Sequence, residues 1–238
     1  MLEEKYNQIR NFCITNSDQN SIDKYSKYFK DGFDGYGIDR KVFEDQKDFW
    51  IKTWKDEMTI EKYLDLSDII LEKGKGEEIS FAICFLKSES ANFTEVTFNR
   101  ISKWFDLGID NWATTDVLCM LVLSSFFIDK RIELSNLKEW NTSNSEWQRR
   151  AVPVTLVELI KNDLSPEVAI PIIEPLMLDK SQYVQKGIGT LLRGLWKIYP
   201  YEIEEFLLKW KDNCGRLIVQ YTTEKMDKDY RKKFRKAK

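Results

Sequence analysis

Apolar residues recur every three to four positions along almost the whole chain. Ile60, Tyr63, Leu64, Ile69 and Ile70 make one such stripe, the spacing that gathers side chains on one face of an α-helix. Gly74 and Gly76 close it. Ile79, Ala82, Ile83 and Leu86 repeat the pattern. Val96, Ile101, Trp104 and Phe105 carry it through a third segment, with Gly108 as its stop. Ser165 followed by Pro166 reads as an N-cap and a first-turn proline, and Pro200 opens a helix bearing Phe206, Leu207 and Trp210. No alternating run is bounded by Asn-Gly or Asp-Gly, so hairpins are not expected. The pattern predicts an all-α chain.

A longer period runs beneath the helical one. Trp112, Trp147 and Tyr183 are 35 and 36 residues apart. Each leads a polar turn and then an apolar helical run. Such a period in a helical chain predicts stacked helix pairs, an α-solenoid of HEAT-like units whose concave surface is lined by one helix from each pair. The residues just after the aromatics are Thr115 and Asp116, Arg149 and Arg150, and Gln185 and Lys186. One carboxylate among three cations, with rings nearby, suits a groove for a negatively charged polymer.

Composition narrows the chemistry. The 238 residues include no histidine, which excludes Ser-His-Asp and Cys-His nucleophile systems, His-ligated zinc and imidazole relays. Cys13, Cys84, Cys119 and Cys214 form no C-x-x-C pair and read as reduced thiols. No metal site and no cofactor are expected. The opening MLEEKYNQIR lacks an apolar signal region. The longest apolar stretch, 117–128, falls short of the ~20 residues of a membrane helix. A cytoplasmic protein without membrane contact, acting as a monomer, is the expectation.

Charge is unevenly placed. Residues 225–238 carry eight Lys/Arg against two Asp, whereas the preceding 224 carry 29 basic and 37 acidic residues. The expected organisation is therefore a helical domain over 1–224 with a basic tail over 225–238, either a polyanion contact or a solvated end. Two other candidates fall away. Gly32, Gly35 and Gly37 lack the third fingerprint glycine and a preceding strand, and read as a turn. The pairs Glu77–Glu78 and Glu204–Glu205 are adjacent, point to different sides of a helix, and are expected in solvent.

The stretches NWATTD, SEWQRRA and SQYVQKGIGTLLRGLWKIYP, with GIDRKVFEDQ at 37–46, resemble the DNA alkylation repair proteins, the HEAT-like-repeat DNA glycosylases. The likeness runs from about residue 20 to about residue 222. It implies a solenoid holding double-stranded DNA, alkylated or distorted, in a basic concave groove, and release of cationic 3- and 7-alkylpurines without swinging the base into a pocket. By the same likeness Asp116 matches the key carboxylate and Trp112 the tryptophan before it. Arg150 matches the arginine of the W-x-x-R element, Lys186 and Arg193 match basic positions of the next repeat, and Arg216 matches one near the C-terminus.

That chemistry suits a chain without histidine. An N3- or N7-alkylated purine is already cationic and leaves without a general acid. The positive charge growing on the deoxyribose is what needs help, and a fixed carboxylate beside the sugar supplies it and positions water. An indole face adds cation–π attraction. Trp112 and Asp116 stand at i and i+4, on one helical face. Arg149 and Arg150 suit phosphate clamping. On spacing alone, Trp112 reads first as a core aromatic and Asp116 as a helix-surface acid paired with a neighbouring cation; the resemblance is what turns them into site residues.

One departure bears on activity. Catalytic members of the family carry a second tryptophan after the Q-K-x-I-G string, where this chain has Thr190. Asn111 and Ala113 also replace an aromatic and an acidic residue. The expected function is excision of alkylpurines by an N-glycosylase. A non-catalytic DNA-structure binder on the same scaffold stays open as the alternative, as does a protein–protein scaffold.

Overall fold

A computed structural model describes residues 1–30 and 32–236. Among them every regular element is helical and no strand occurs. The chain forms two compact units, Met1–Ile109 and Asp110–Lys238.

The first unit contains α1 (Leu2–Thr15), α2 (Gln19–Ser26), α3 (Arg40–Trp54), α4 (Ile60–Lys73), α5 (Gly76–Ser88), α6 (Glu95–Ser102) and the short α7 (Trp104–Leu107). Asp18, Asp39, Thr59 and Thr94 cap α2, α3, α4 and α6 through their side-chain oxygens, satisfying backbone N–H groups that the helices leave open. α1 packs on α4 and α5, and α3 packs on α5. Between them sit Trp50, Trp54, Tyr63, Phe81 and Phe85, all buried. Trp50 meets Phe81 edge-on at 5.1 Å and stacks on Trp54 at 5.2 Å.

Two boundary expectations change. Gly74 does terminate α4, but Gly76 opens α5 instead of closing α4. Val96 is 78% exposed. α6 turns Phe98 and Ile101 inward, and Val96 lies five residues from Ile101, off the buried face.

Glu77 and Glu78 are not solvent-facing. Glu77 accepts backbone N–H bonds from Tyr36 (2.8 Å), Gly37 (2.7 Å) and Ile38 (3.2 Å). It thereby fixes the turn between α2 and α3, where Gly37 takes a φ of 70°. Glu78 is fully buried and accepts from Arg10 Nε (3.0 Å), the Lys75 N–H (2.7 Å) and the Tyr36 hydroxyl (3.3 Å). Burial, reinforced by the Glu78 charge, raises the Tyr36 phenol. The pair does diverge around the helix, but α1 covers one side and the turn covers the other. Glu78→Ala should lower unfolding stability by about 2–3 kcal/mol, because Arg10 loses its partner while still reaching water. Urea unfolding followed by circular dichroism measures it.

The second unit begins with one continuous helical stretch made of α8 (Trp112–Leu118), a π-helical segment (Cys119–Leu123) and α9 (Ser124–Ile128). Next come a 3-10 segment (Leu134–Thr142), α10 (Glu146–Leu159), α11 (Pro166–Ile173), α12 (Gln182–Trp196), α13 (Pro200–Trp210), α14 (Arg216–Thr222) and a final 3-10 turn (Tyr230–Phe234). α10 packs between α8 and α12, and α12 packs between α10 and α14. The Leu134–Thr142 segment, α11 and α13 pack behind them. This is a stack of helix pairs. Gly189 lets α12 and α14 meet closely, since a Cβ there would lie 2.5 Å from Tyr221 Cβ and 2.9 Å from the Ile218 carbonyl oxygen. Pro166 and Pro200 stand in the first turns of their helices.

Glu204 also departs from expectation. It accepts from Trp196 Nε1 (3.0 Å), the Tyr230 hydroxyl (2.7 Å) and Lys233 Nζ (2.6 Å), while Glu205 is exposed. Of the basic tail, Ala237 and Lys238 lie outside the described residues. The rest folds back against the unit, with Phe234 fully buried beside Leu207 and Met226. All four cysteines are free thiols. Among the described residues no helix is long and apolar enough to cross a membrane, and no cluster of residues could hold a metal ion.

Candidate functional site

The stack places the candidate residues by register. Asn111, Ser145 and Ser181 cap α8, α10 and α12 through their side chains. Counting from each cap, the fifth residue is Asp116, Arg150 and Lys186 in turn. The aromatics are not in strict register. Trp112 is the first residue of α8, whereas Trp147 and Tyr183 are the second of α10 and α12.

Register puts opposite charges side by side. Arg150 Nε donates to Asp116 Oδ1 at 2.8 Å and Arg150 Nη2 donates to Asp116 Oδ2 at 2.7 Å, a bidentate fork in which both groups are charged. The third arm, Nη1, donates to the Tyr183 carbonyl at 2.6 Å. Arg150 is buried, and its guanidinium ties α8, α10 and α12 together. The Asp116 side chain keeps 34% exposure. Its position is fixed while one edge stays open to water or a ligand. Trp112 is half-buried one turn earlier on α8. The Trp147 and Tyr183 rings meet at 4.6 Å.

The other cations divide by partner. Arg149 Nε donates to Asp179 at 2.6 Å, and Nη1 donates to the carbonyls of Ser143 (2.7 Å) and Asn144 (3.2 Å). Its guanidinium is spent on the loops that precede α10 and α12. Arg193 pairs with Glu224 of the segment after α14. Lys186 has no carboxylate partner among the described residues, and its Nζ lies 5.7 Å from the Tyr183 ring. Arg216, at the start of α14, is exposed and likewise without a carboxylate partner among them. Thr190 sits one turn beyond Lys186, half-buried, with its hydroxyl donating to the Lys186 carbonyl at 2.8 Å.

The structure therefore joins Asp116 to Arg150 and leaves Lys186 and Arg216 available. It turns Arg149 toward Asp179 and Arg193 toward Glu224. Asp179 and the Tyr183 carbonyl are beyond the reach of the sequence pattern. The Asp116–Arg150 contact has a signal, since the two residues are 34 apart and so are their caps. Asp179 has none, because it lies in a loop outside the repeated helices.

A sequence model described as DNA alkylation repair enzyme matches residues 13–226. No curated protein sequence matches the chain. Among solved structures, the chain is similar to a predicted DNA alkylation repair enzyme from Enterococcus faecalis, with a TM-score of 0.75 and 17% identity over 90% of this chain and 98% of that one. It is also similar to smu.31 from Streptococcus mutans UA159, with a TM-score of 0.59 and 20% identity over 79% and 96%. A third similar structure is AlkD2 from Streptococcus mutans, with a TM-score of 0.58 and 20% identity over 88% and 99%. At these identities the likeness concerns the fold.

Proposed function

Because the chain belongs to the DNA alkylation repair enzyme family, we propose that it binds duplex DNA and hydrolyses the N-glycosidic bond of cationic 3- and 7-alkylpurines. The observation that carries the reading is the half-open Asp116 carboxylate, held by two charged hydrogen bonds from Arg150 one turn from Trp112. A cationic purine departs as a neutral base, so the chain's lack of histidine is no obstacle. Asp116 stabilises the sugar cation as the bond lengthens and orients the water that captures it. Trp112 offers its ring to the same charge. Arg150 acts through Asp116 as a positioning residue, holding the carboxylate so that little reorganisation is needed during reaction. Chromatographic detection of 3-methyladenine released from methylated duplex, above spontaneous loss, tests the reading.

Binding rests on the cations without a carboxylate partner. Lys186→Ala should flatten the dependence of log affinity on log salt by about one unit, the signature of one lost phosphate contact. Arg149→Ala should leave that slope unchanged and lower stability by about 2 kcal/mol, because Asp179 is left buried without its partner. Salt titrations of duplex binding and urea unfolding separate the two effects.

One observation favours a second reading, a DNA-structure binder without catalysis. Thr190 presents a small hydroxyl that is already bonded to its own helix, in place of an aromatic wall. Under the enzymatic reading Thr190→Trp raises base release or leaves it unchanged. Under the binding reading neither wild type nor Thr190→Trp exceeds spontaneous loss.

A further inference from the structure

The basic C-terminal segment is part of a built cavity. Residues 230–236 return over the loop between α13 and α14 and enclose an open cleft of about 710 Å³. Its wall includes Lys211 and Arg216 from the body of the unit and Arg231, Arg235 and Lys236 from the returning segment, beside Cys214, and it includes no carboxylate. Arg216, Arg235 and Lys236 have no carboxylate partner among the described residues. Lys211 keeps only a long contact with Asp212 at 3.4 Å and donates to the Arg235 carbonyl at 3.2 Å. Arg216, Arg235 and Lys236 thus bring three cations without a carboxylate partner to a space whose lining supplies none, and their like charges favour entry of an anion.

The segment is held firmly enough for this to be a site and not a loose tail. Phe234 is fully buried against Leu207 and Met226, with Trp196 and Val219 packed on them. The Tyr230 hydroxyl and Lys233 both donate to Glu204, and Lys233 lies 3.7 Å from the Tyr230 ring. Burial opposes the Glu204 charge, but the combined bonds from Lys233, Trp196 and Tyr230 outweigh it and hold the carboxyl below its ordinary value of 4.5. A depressed carboxyl stabilises docking above the ordinary value and ceases to do so as pH falls through the lowered one. The segment therefore stays docked at neutral pH.

We propose that this cleft is a second DNA contact, taking successive phosphates of one strand outside the nucleotide at Asp116. The assignment rests on the DNA-binding reading above. Its geometry matches the ligand, because arginine forks suit phosphate oxygens and the open mouth admits a continuing strand. Residues 227–236 lie beyond the 13–226 span shared with the family. Four of the lining residues, Arg231, Phe234, Arg235 and Lys236, fall outside that matched span.

The test uses the full chain and an unmodified 20-base-pair duplex. Replacing Arg231, Arg235 and Lys236 together by glutamine should weaken binding by ~10-fold or more at moderate salt and flatten the log–log salt slope by about two to three units. Phe234→Ala and Glu204→Gln keep every cation of the cleft but undock the segment, and each should weaken binding by at least ~5-fold if the cleft is the site. Unchanged affinity in both, alongside a loss in the triple variant, would overturn the proposal in favour of a loose charged tail. A triple variant that binds as wild type would overturn it outright. Lys186→Ala reports separately on the groove. If Lys186→Ala weakens binding and the triple variant does not, the groove reading stands and the cleft falls. A wild type that binds no duplex defeats both. Calorimetry with 2′-deoxyadenosine 5′-monophosphate distinguishes a strand from a free nucleotide. It should bind at least ~100-fold more weakly than the duplex, since one phosphate engages only part of the cleft. A mononucleotide that binds more tightly than the duplex, and is lost in the triple variant, would overturn the assignment to a strand.

Discussion

Asp116→Asn is expected to reduce release of alkylated base by at least ~100-fold while duplex binding persists or tightens. Asparagine keeps the size of the side chain and one hydrogen-bond acceptor, but removes the negative charge proposed to face the sugar cation. Binding does not suffer, because a carboxylate near DNA repels phosphate. The loss falls on the rate under saturating protein, with little change in the protein concentration giving half-saturation. Aspartate deletion in a purely structural ion pair would instead show first in unfolding.

Arg150→Lys should lower base release by ~10–100-fold and stability by about 2 kcal/mol. Lysine supplies one point charge where Arg150 spans both Asp116 oxygens and the Tyr183 carbonyl. The carboxylate then loses its fixed orientation, and the bridge from α8 through α10 to α12 loses an arm. A double-mutant cycle identifies the route of the effect. If Arg150 acts through Asp116, Arg150→Lys added to Asp116→Asn changes base release by less than ~3-fold. A full additional loss would mean that Arg150 touches the DNA by itself.

Helical periodicity makes most of the fold legible in the amino-acid sequence. The stripes at 60–70 and 79–86, the stop at Gly108 and the prolines at 166 and 200 all fall where the helices place them. A fourth stacked helix, α14, escapes the repeat pattern because Gly215 leads it in place of Ser or Asn and no aromatic stands in its first turn. Glu77, Glu78 and Glu204 defy the solvent expectation for one shared reason. Each is polar and adjacent to another acid, and nothing local announces that a turn, an arginine or a returning C-terminal segment will cover it. Burial of a charge depends on distant partners, here Arg10, Tyr36, Tyr230 and Lys233.

The candidate site is legible in its residues more than in their partners. Trp112, Asp116, Arg150 and Lys186 stand out by type and spacing. Their pairing needs the register of neighbouring helices, which the cap spacing of 34 residues encodes only once the caps are known. Arg149 shows the limit well. It is adjacent to Arg150 and of the same type, yet it points at Asp179 because neighbours in a helix diverge by about 100°.

The Asp116 carboxylate is proposed to support cleavage of the glycosidic bond. Single-turnover release of 7-methylguanine from one duplex, followed for wild type, Asp116→Asn and a protein-free control at every time point, tests it most directly. Wild-type release is expected well above the control and Asp116→Asn release at least ~100-fold slower than wild type, with both proteins bound to the duplex. Equal release by the two proteins, both above the control or both at it, would contradict the claim.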